Sequence, residues 1–131
     1  MSIWEEFAME SRVREILEAV RYDKKHHFGR PFLTAYQIAI AFDRAHGEDR
    51  KRIGKPVGGK GTGQKDSLAQ YLAFQLSRRI KSGELVGIEG RFLHGQDVRS
   101  LEYDLDGKVV KSSSGKADAL SMFRLEEEGA R

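Results

Sequence analysis

Residues 66–86 read DSLAQYLAFQLSRRIKSGELV, and the organisation of the chain follows from this stretch. Leu68, Leu72 and Leu76, with Ala69, Ala73 and Ile80, gather on one side of a helix at about 100° per residue. Gln70, Phe74, Arg78 and Lys81 gather on the opposite side, with Tyr71 at its edge. Asp66 or Ser67 supplies the N-cap, the helix runs to about Lys81, and Ser82-Gly83 closes it. The spacing therefore predicts a helix with an apolar inner face and a basic outer one.

Working upstream, Thr34-Ala35-Tyr36-Gln37 is a capping box, in which the threonine hydroxyl and the glutamine side chain satisfy each other's orphan backbone donors. Ile38, Ala41, Phe42 and Ala45 continue as a buried stripe, and Gly47 is the expected C-cap. An earlier helix is expected over residues 10–22, with Val13, Ile16, Leu17 and Val20 at i, i+3, i+4, i+7. Trp4 and Phe7 extend or cap it. Between these helices, residues 23–28 are polar and His-rich, and Gly29-Arg30-Pro31 breaks any helix.

Downstream, residues 85–93 and 98–105 are rich in β-formers and are separated by His94-Gly95-Gln96-Asp97, which reads as a hairpin turn. Asp106-Gly107 is a second turn signal ahead of Val109-Val110. Residues 112–116 read as a loop, residues 119–125 as a strand or short helix, and residues 126–131 as a frayed tail.

The net charge of +3 conceals an uneven distribution. Residues 1–49 carry seven Lys/Arg against nine Asp/Glu, and residues 82–131 carry seven against ten. Residues 50–81 carry nine against Asp66 alone. Within them, residues 48–65 lose all apolar periodicity and mix five glycines with Arg50, Lys51, Arg52, Lys55, Lys60 and Lys65. Such a segment reads as an exposed basic Gly-rich loop that meets a polyanion, because each Lys or Arg beside a phosphate releases a condensed counterion. Glycines let backbone amides approach phosphate, and a helix N-terminus follows directly. The chain has no cysteine, which excludes disulfides and thiolate metal sites and fits a cytoplasmic location. No apolar run is long enough for a membrane span and no secretory signal opens the sequence, so no membrane partner is expected.

The order of a helix, a capped helix, a connection, a third helix and a twisted hairpin resembles the winged helix-turn-helix family of DNA-binding domains. The likeness is carried by residues 34–42 and by Leu76-Ser77-Arg78-Arg79-Ile80-Lys81-Ser82-Gly83-Glu84-Leu85-Val86, and it covers roughly residues 10–105. It implies an α+β fold, a three-helix core followed by a β-hairpin wing, with residues 1–131 forming one winged-helix-like domain. In that family the connection between the second and third helices is a tight turn, whereas here it spans residues 48–65. Either this loop is an insertion that adds backbone contacts, or the helices are not arranged as a helix-turn-helix.

By resemblance, the third helix enters the major groove through side chains near its N-terminal half: Lys65, Ser67, Gln70 and Tyr71, with Phe74 and Arg78 further along. Gln can read adenine there and Arg can read guanine. Arg91, His94 and Arg99, on or near the wing, would reach phosphates or the minor groove. The implied function is duplex-DNA binding, as in a transcriptional regulator. A palindromic site would call for a homodimer, with the Trp4/Phe7 segment as the interface.

Other motifs point elsewhere and are weaker. Gly54-Lys55-Pro56-Val57-Gly58-Gly59-Lys60-Gly61 approaches the phosphate-binding pattern GxxxxGK[ST], but glycine replaces the magnesium-ligating hydroxyl and no apolar strand precedes it. His26-His27 are adjacent and far in sequence from His46 and His94, which reads as surface histidine rather than a zinc site. Asp97, Glu102, Asp104 and Asp106 could form a divalent-metal nuclease site, yet alternation with Leu101, Tyr103 and Leu105 reads as a solvated strand face. No catalytic residue, metal or cofactor is expected. A protein-interaction module gripping an acidic partner through the basic loop is the alternative, ahead of a metal-dependent nuclease or nucleotide hydrolase.

Overall fold

The computed structural model describes residues 2–58, 67–112 and 120–127. Among them the chain is a mixed α+β structure. It contains α1 (Ile3–Glu6), α2 (Met9–Glu18), β1 (Leu33–Thr34), α3 (Ala35–Ile53) and α4 (Leu68–Ser82), followed by β2 (Ile88–Phe92), β3 (Glu102–Leu105), β4 (Lys108–Lys111) and β5 (Ser121–Leu125).

The helix expected over residues 10–22 forms as the shorter α2, with a separate short helix before it. Ser2 caps α1, and Ala8, in the left-handed region at φ 50°, turns the chain into α2, which ends at Glu18. That turn folds Trp4 and Phe7 inward, and both are buried in the core. They are therefore not available as a homodimer interface.

α3 begins as its sequence requires. Gln37 N donates to Thr34 Oγ1, and Thr34 N donates to Gln37 Oε1 at 2.7 Å, closing the capping box. Ile38 and Phe42 are fully buried, while Ala45 is exposed and lies off the stripe. Gly47 is not the C-cap. The backbone leaves helical geometry at His46, resumes, and ends at Gly54, whose φ of +82° lets its amide reach back to the Arg50 and Lys51 carbonyls.

The extra turns are held by charge, which apolar periodicity cannot reveal. Arg50 Nε donates to Asp43 Oδ1 at 2.6 Å across the kink, and Arg12 Nη1 donates to Asp49 Oδ2 at 2.7 Å from α2. The hydrogen bond and charge of Arg12 hold the Asp49 carboxyl below its ordinary pKa, with Arg52 adding to the effect. A depressed carboxylate contributes stability above its unfolded-state pKa and loses that contribution as pH falls through the folded value. Asp49→Asn is therefore expected to lower the urea midpoint at neutral pH, and the gap from wild type should close as pH falls below the aspartate range. Urea titrations at several pH values check this.

α4 starts at Ser67 rather than Asp66, with Gln70 N donating to Ser67 Oγ at 3.1 Å. Its next donors are also taken: Leu68 N donates to the Pro56 carbonyl at 2.7 Å and Ala69 N to the Val57 carbonyl at 3.0 Å. Residues 56–57 are thus stitched across the helix start. Leu68, Ala69, Leu72, Ala73 and Leu76 are buried, and Ile80 packs against the same core. Gly58 lies so close that a Cβ would meet the Tyr36 ring at 2.8 Å and Val110 at 3.0 Å. Gly58→Ala is accordingly expected to cost about 1–3 kcal/mol through overpacking, read from urea unfolding.

The expected hairpin of residues 85–93 with 98–105 does not form. β2 pairs instead with β5, antiparallel, from Ile88↔Leu125 to Phe92↔Ser121. Leu93 N donates to the Leu120 carbonyl and extends the pairing by one bond. β1 flanks β5 on its other side, giving a three-stranded sheet in the order β1-β5-β2. Of residues 119–125, open between strand and helix from sequence, Ser121–Leu125 supply the central strand. His94-Gly95-Gln96-Asp97 does turn the chain, but the tight hairpin belongs to Asp106-Gly107. Both residues have positive φ, 51° and 90°, as a two-residue type I′ turn requires. The β3–β4 hairpin is tied to α3 by Arg44, which reaches Asp106 Oδ1 and the Asp104 carbonyl, and by Tyr103 stacked on Tyr36 at 5.4 Å.

Candidate nucleic-acid interface

Of the basic residues read as one loop, those described take different parts. Arg50, Lys51 and Arg52 belong to the last turn of α3. Arg50 is half-buried between Asp43 and the Lys55 carbonyl, so its guanidinium does structural work. Lys51 is exposed beside Glu48 at 3.6 Å. Arg52 lies over the Phe7 ring at 5.1 Å and bridges to Asp49 and Glu6. Lys55 Nζ stands 5.7 Å over the Tyr71 ring. Lys60 and Lys65 lie outside the described residues, as do Gly59 and Gly61 of the GxxxxGK-like stretch; its first glycine, Gly54, caps a helix rather than following a strand.

The N-terminal half of α4 is closed over. Ser67 is buried as the cap, and Gln70 and Tyr71 are half-buried. Burial pushes the Tyr71 hydroxyl pKa above its ordinary value. The helix N-terminus offers no anion site, because Pro56, Val57 and Ser67 accept from its first three amides.

The open face of α4 lies further along. Phe74, Ser77, Arg78 and Lys81 are all exposed, and their i, i+3, i+4, i+7 spacing makes one stripe. Phe74 is 53% exposed, with the Arg78 guanidinium 5.2 Å from its ring centroid. Arg78 donates to Gln75 Oε1 at 3.2 Å, and no ion pair among the described residues engages Arg78 or Lys81. Arg79 turns the other way, over Trp4 at 4.3 Å and against Glu84. Of the residues expected on or near a wing, Arg91 is exposed but bridges to Glu89 at 2.8 Å, and His94 and Arg99 are exposed.

Among the described residues no group of three or more His, Asp or Glu side chains is placed to hold a metal ion. Glu102 pairs with Lys111, Asp106 pairs with Arg44, and Asp104 accepts the Gly107 amide. The acidic strand face is thus used within its own hairpin and against α3. No described helix is long and apolar enough to cross a membrane. Compared with known proteins, the chain matches no family model, no curated protein and no solved structure.

Proposed function

We propose that the chain is a winged-helix-like module that binds duplex DNA through the outer face of α4, acting in the cytoplasm as a transcriptional regulator. The observation that carries this reading is the exposed stripe Phe74, Ser77, Arg78 and Lys81, which combines an apolar ring, a hydroxyl and two cations that form no ion pair among the described residues. An arginine reads guanine in the major groove, an aromatic ring contacts the thymine methyl, and a lysine neutralises phosphate. α4 also runs through Gly83 towards β2, which pairs with β5 in the three-stranded sheet, so the helix leads into an antiparallel strand, though not into the hairpin that the resemblance implies. Arg99 and His94 lie in the segment joining those strands and would add backbone contacts.

The reading differs from the sequence expectation in where the helix touches DNA. The contact surface is the C-terminal half of α4, with Ser67, Gln70 and Tyr71 supporting the helix start.

Fluorescence anisotropy against labelled duplex DNA, duplex RNA and single strands, at about 50 and 200 mM salt, tests it. Tight, salt-sensitive binding to duplex DNA is the expected result. Absence of duplex binding at the lower salt would overturn the reading and direct attention to an acidic protein partner.

A further inference from the structure

The connection between α2 and β1 carries a second surface. Residues 21–30 hold Arg21, Lys24, Lys25 and Arg30 against Asp23 alone, with His26, His27 and Phe28 in succession. The His26 and His27 rings stack at 4.8 Å, and the Phe28 ring lies 4.3 Å from His27. Phe28 is 73% exposed.

This exposed ring is displayed on a fixed backbone. Arg124, held by Glu89 at 2.9 Å, donates from Nη1 to both the Phe28 and Arg30 carbonyls at 2.8 Å. Arg30 N donates to Glu127 Oε1 at 3.1 Å, and Lys25 N donates to Asp23 Oδ1 at 2.9 Å. Gly29 makes the turn at φ +77°, and a Cβ there would meet a Glu127 carboxylate oxygen at 2.6 Å. So much backbone anchoring around a solvated phenylalanine is hard to account for by stability alone, since the ring buries little.

Phe28 also borders two clefts. One, of about 850 Å³, is lined in addition by His27, Gly87, Gly90 and Arg91. The other, of about 580 Å³, is lined by Arg21, Tyr22 and Phe32 as well. Both fall in the range of about 300–1,000 Å³ typical of ligand sites. Arg21, Lys24 and Lys25 are exposed and form no ion pair among the described residues.

We infer that Phe28 is a wedge between two successive bases of an unpaired strand, one base in each cleft, with Arg21, Lys24 and Lys25 following the strand's phosphates. Base pairing and stacking hide the faces an aromatic platform needs, so a strand with free bases fits this surface better than a duplex. The inference shares the nucleic-acid class of ligand with the duplex reading but rests on different side chains.

The test uses a labelled single strand of about 12 nucleotides, within the site sizes common for such surfaces, carrying one 2-aminopurine. Wild type is expected to bind it and quench the 2-aminopurine. Phe28→Ala should weaken binding about tenfold or more and abolish the quench, while Phe28→Trp should retain both. Duplex affinity should be unchanged in either variant. Strand binding that depends on Phe28 without any duplex binding would support this inference while removing the duplex reading. Strand affinity unchanged in Phe28→Ala would overturn the inference, as would Phe28-dependent binding to anionic lipid vesicles by a protein that ignores the strand.

Discussion

Phe42→Ala is expected to destabilise the fold by about 3–5 kcal/mol, the range for removing a fully buried phenylalanine. Phe42 has no exposed surface. Its ring meets His46 at 5.3 Å, at the break in α3, and the Arg12 guanidinium from α2 at 5.8 Å. Truncation removes the ring's burial and leaves a cavity that the surrounding helices can close only in part. A domain of this size has about 5–15 kcal/mol to lose, so the variant should unfold at a much lower urea concentration with a similar slope. A loss below about 1.5 kcal/mol would mean that the α2–α3 layer is not packed as described.

Replacing Arg78 and Lys81 together by alanine should reduce duplex affinity by at least about tenfold at the lower salt. The two side chains stand exposed on one helix face, so their removal leaves no buried charge and should not disturb folding. Each phosphate contact contributes about 0.9 to the slope of log affinity against log salt, so loss of both phosphate contacts lowers the slope by about two. If Arg78 reads a base instead, the slope falls by about one and discrimination at one position relaxes. An unchanged affinity and slope would remove α4 from the interface. Replacing Arg50, by contrast, should act on stability, because its guanidinium is spent on Asp43 and the Lys55 carbonyl.

The inner face of α4 and the start of α3 were legible in sequence because both rest on local chemistry: leucine and alanine at helical spacing, and a threonine three residues before a glutamine. The end of α3 was not. Its last turns are anchored by Asp43, Asp49 and Arg12, and charged side chains carry no apolar period. The strand pairing was half legible. Asp106-Gly107 announced a tight turn, but the partner of β2 is β5, far along the chain, and no local signal encodes such pairing.

For the site, Arg78 and the outer face of α4 could be read from helical geometry. The burial of Ser67, Gln70 and Tyr71 could not, because it depends on residues 55–57 returning over the helix start. The Phe28 loop left one usable trace, aromatic and imidazole rings set among lysines and arginines. Its anchoring by Arg124 and Glu127 emerges only when the chain is folded.

The stitch between residues 56–57 and the first turn of α4 has a consequence for how the chain tolerates change. Its two short bonds bring both ends of the intervening segment together, so the scaffold closes on itself before that segment begins. The entropic cost of lengthening a closed loop grows only slowly with its size. The position between Gly58 and Ser67 is thus where added chain length is expected to cost the described helices and sheet least.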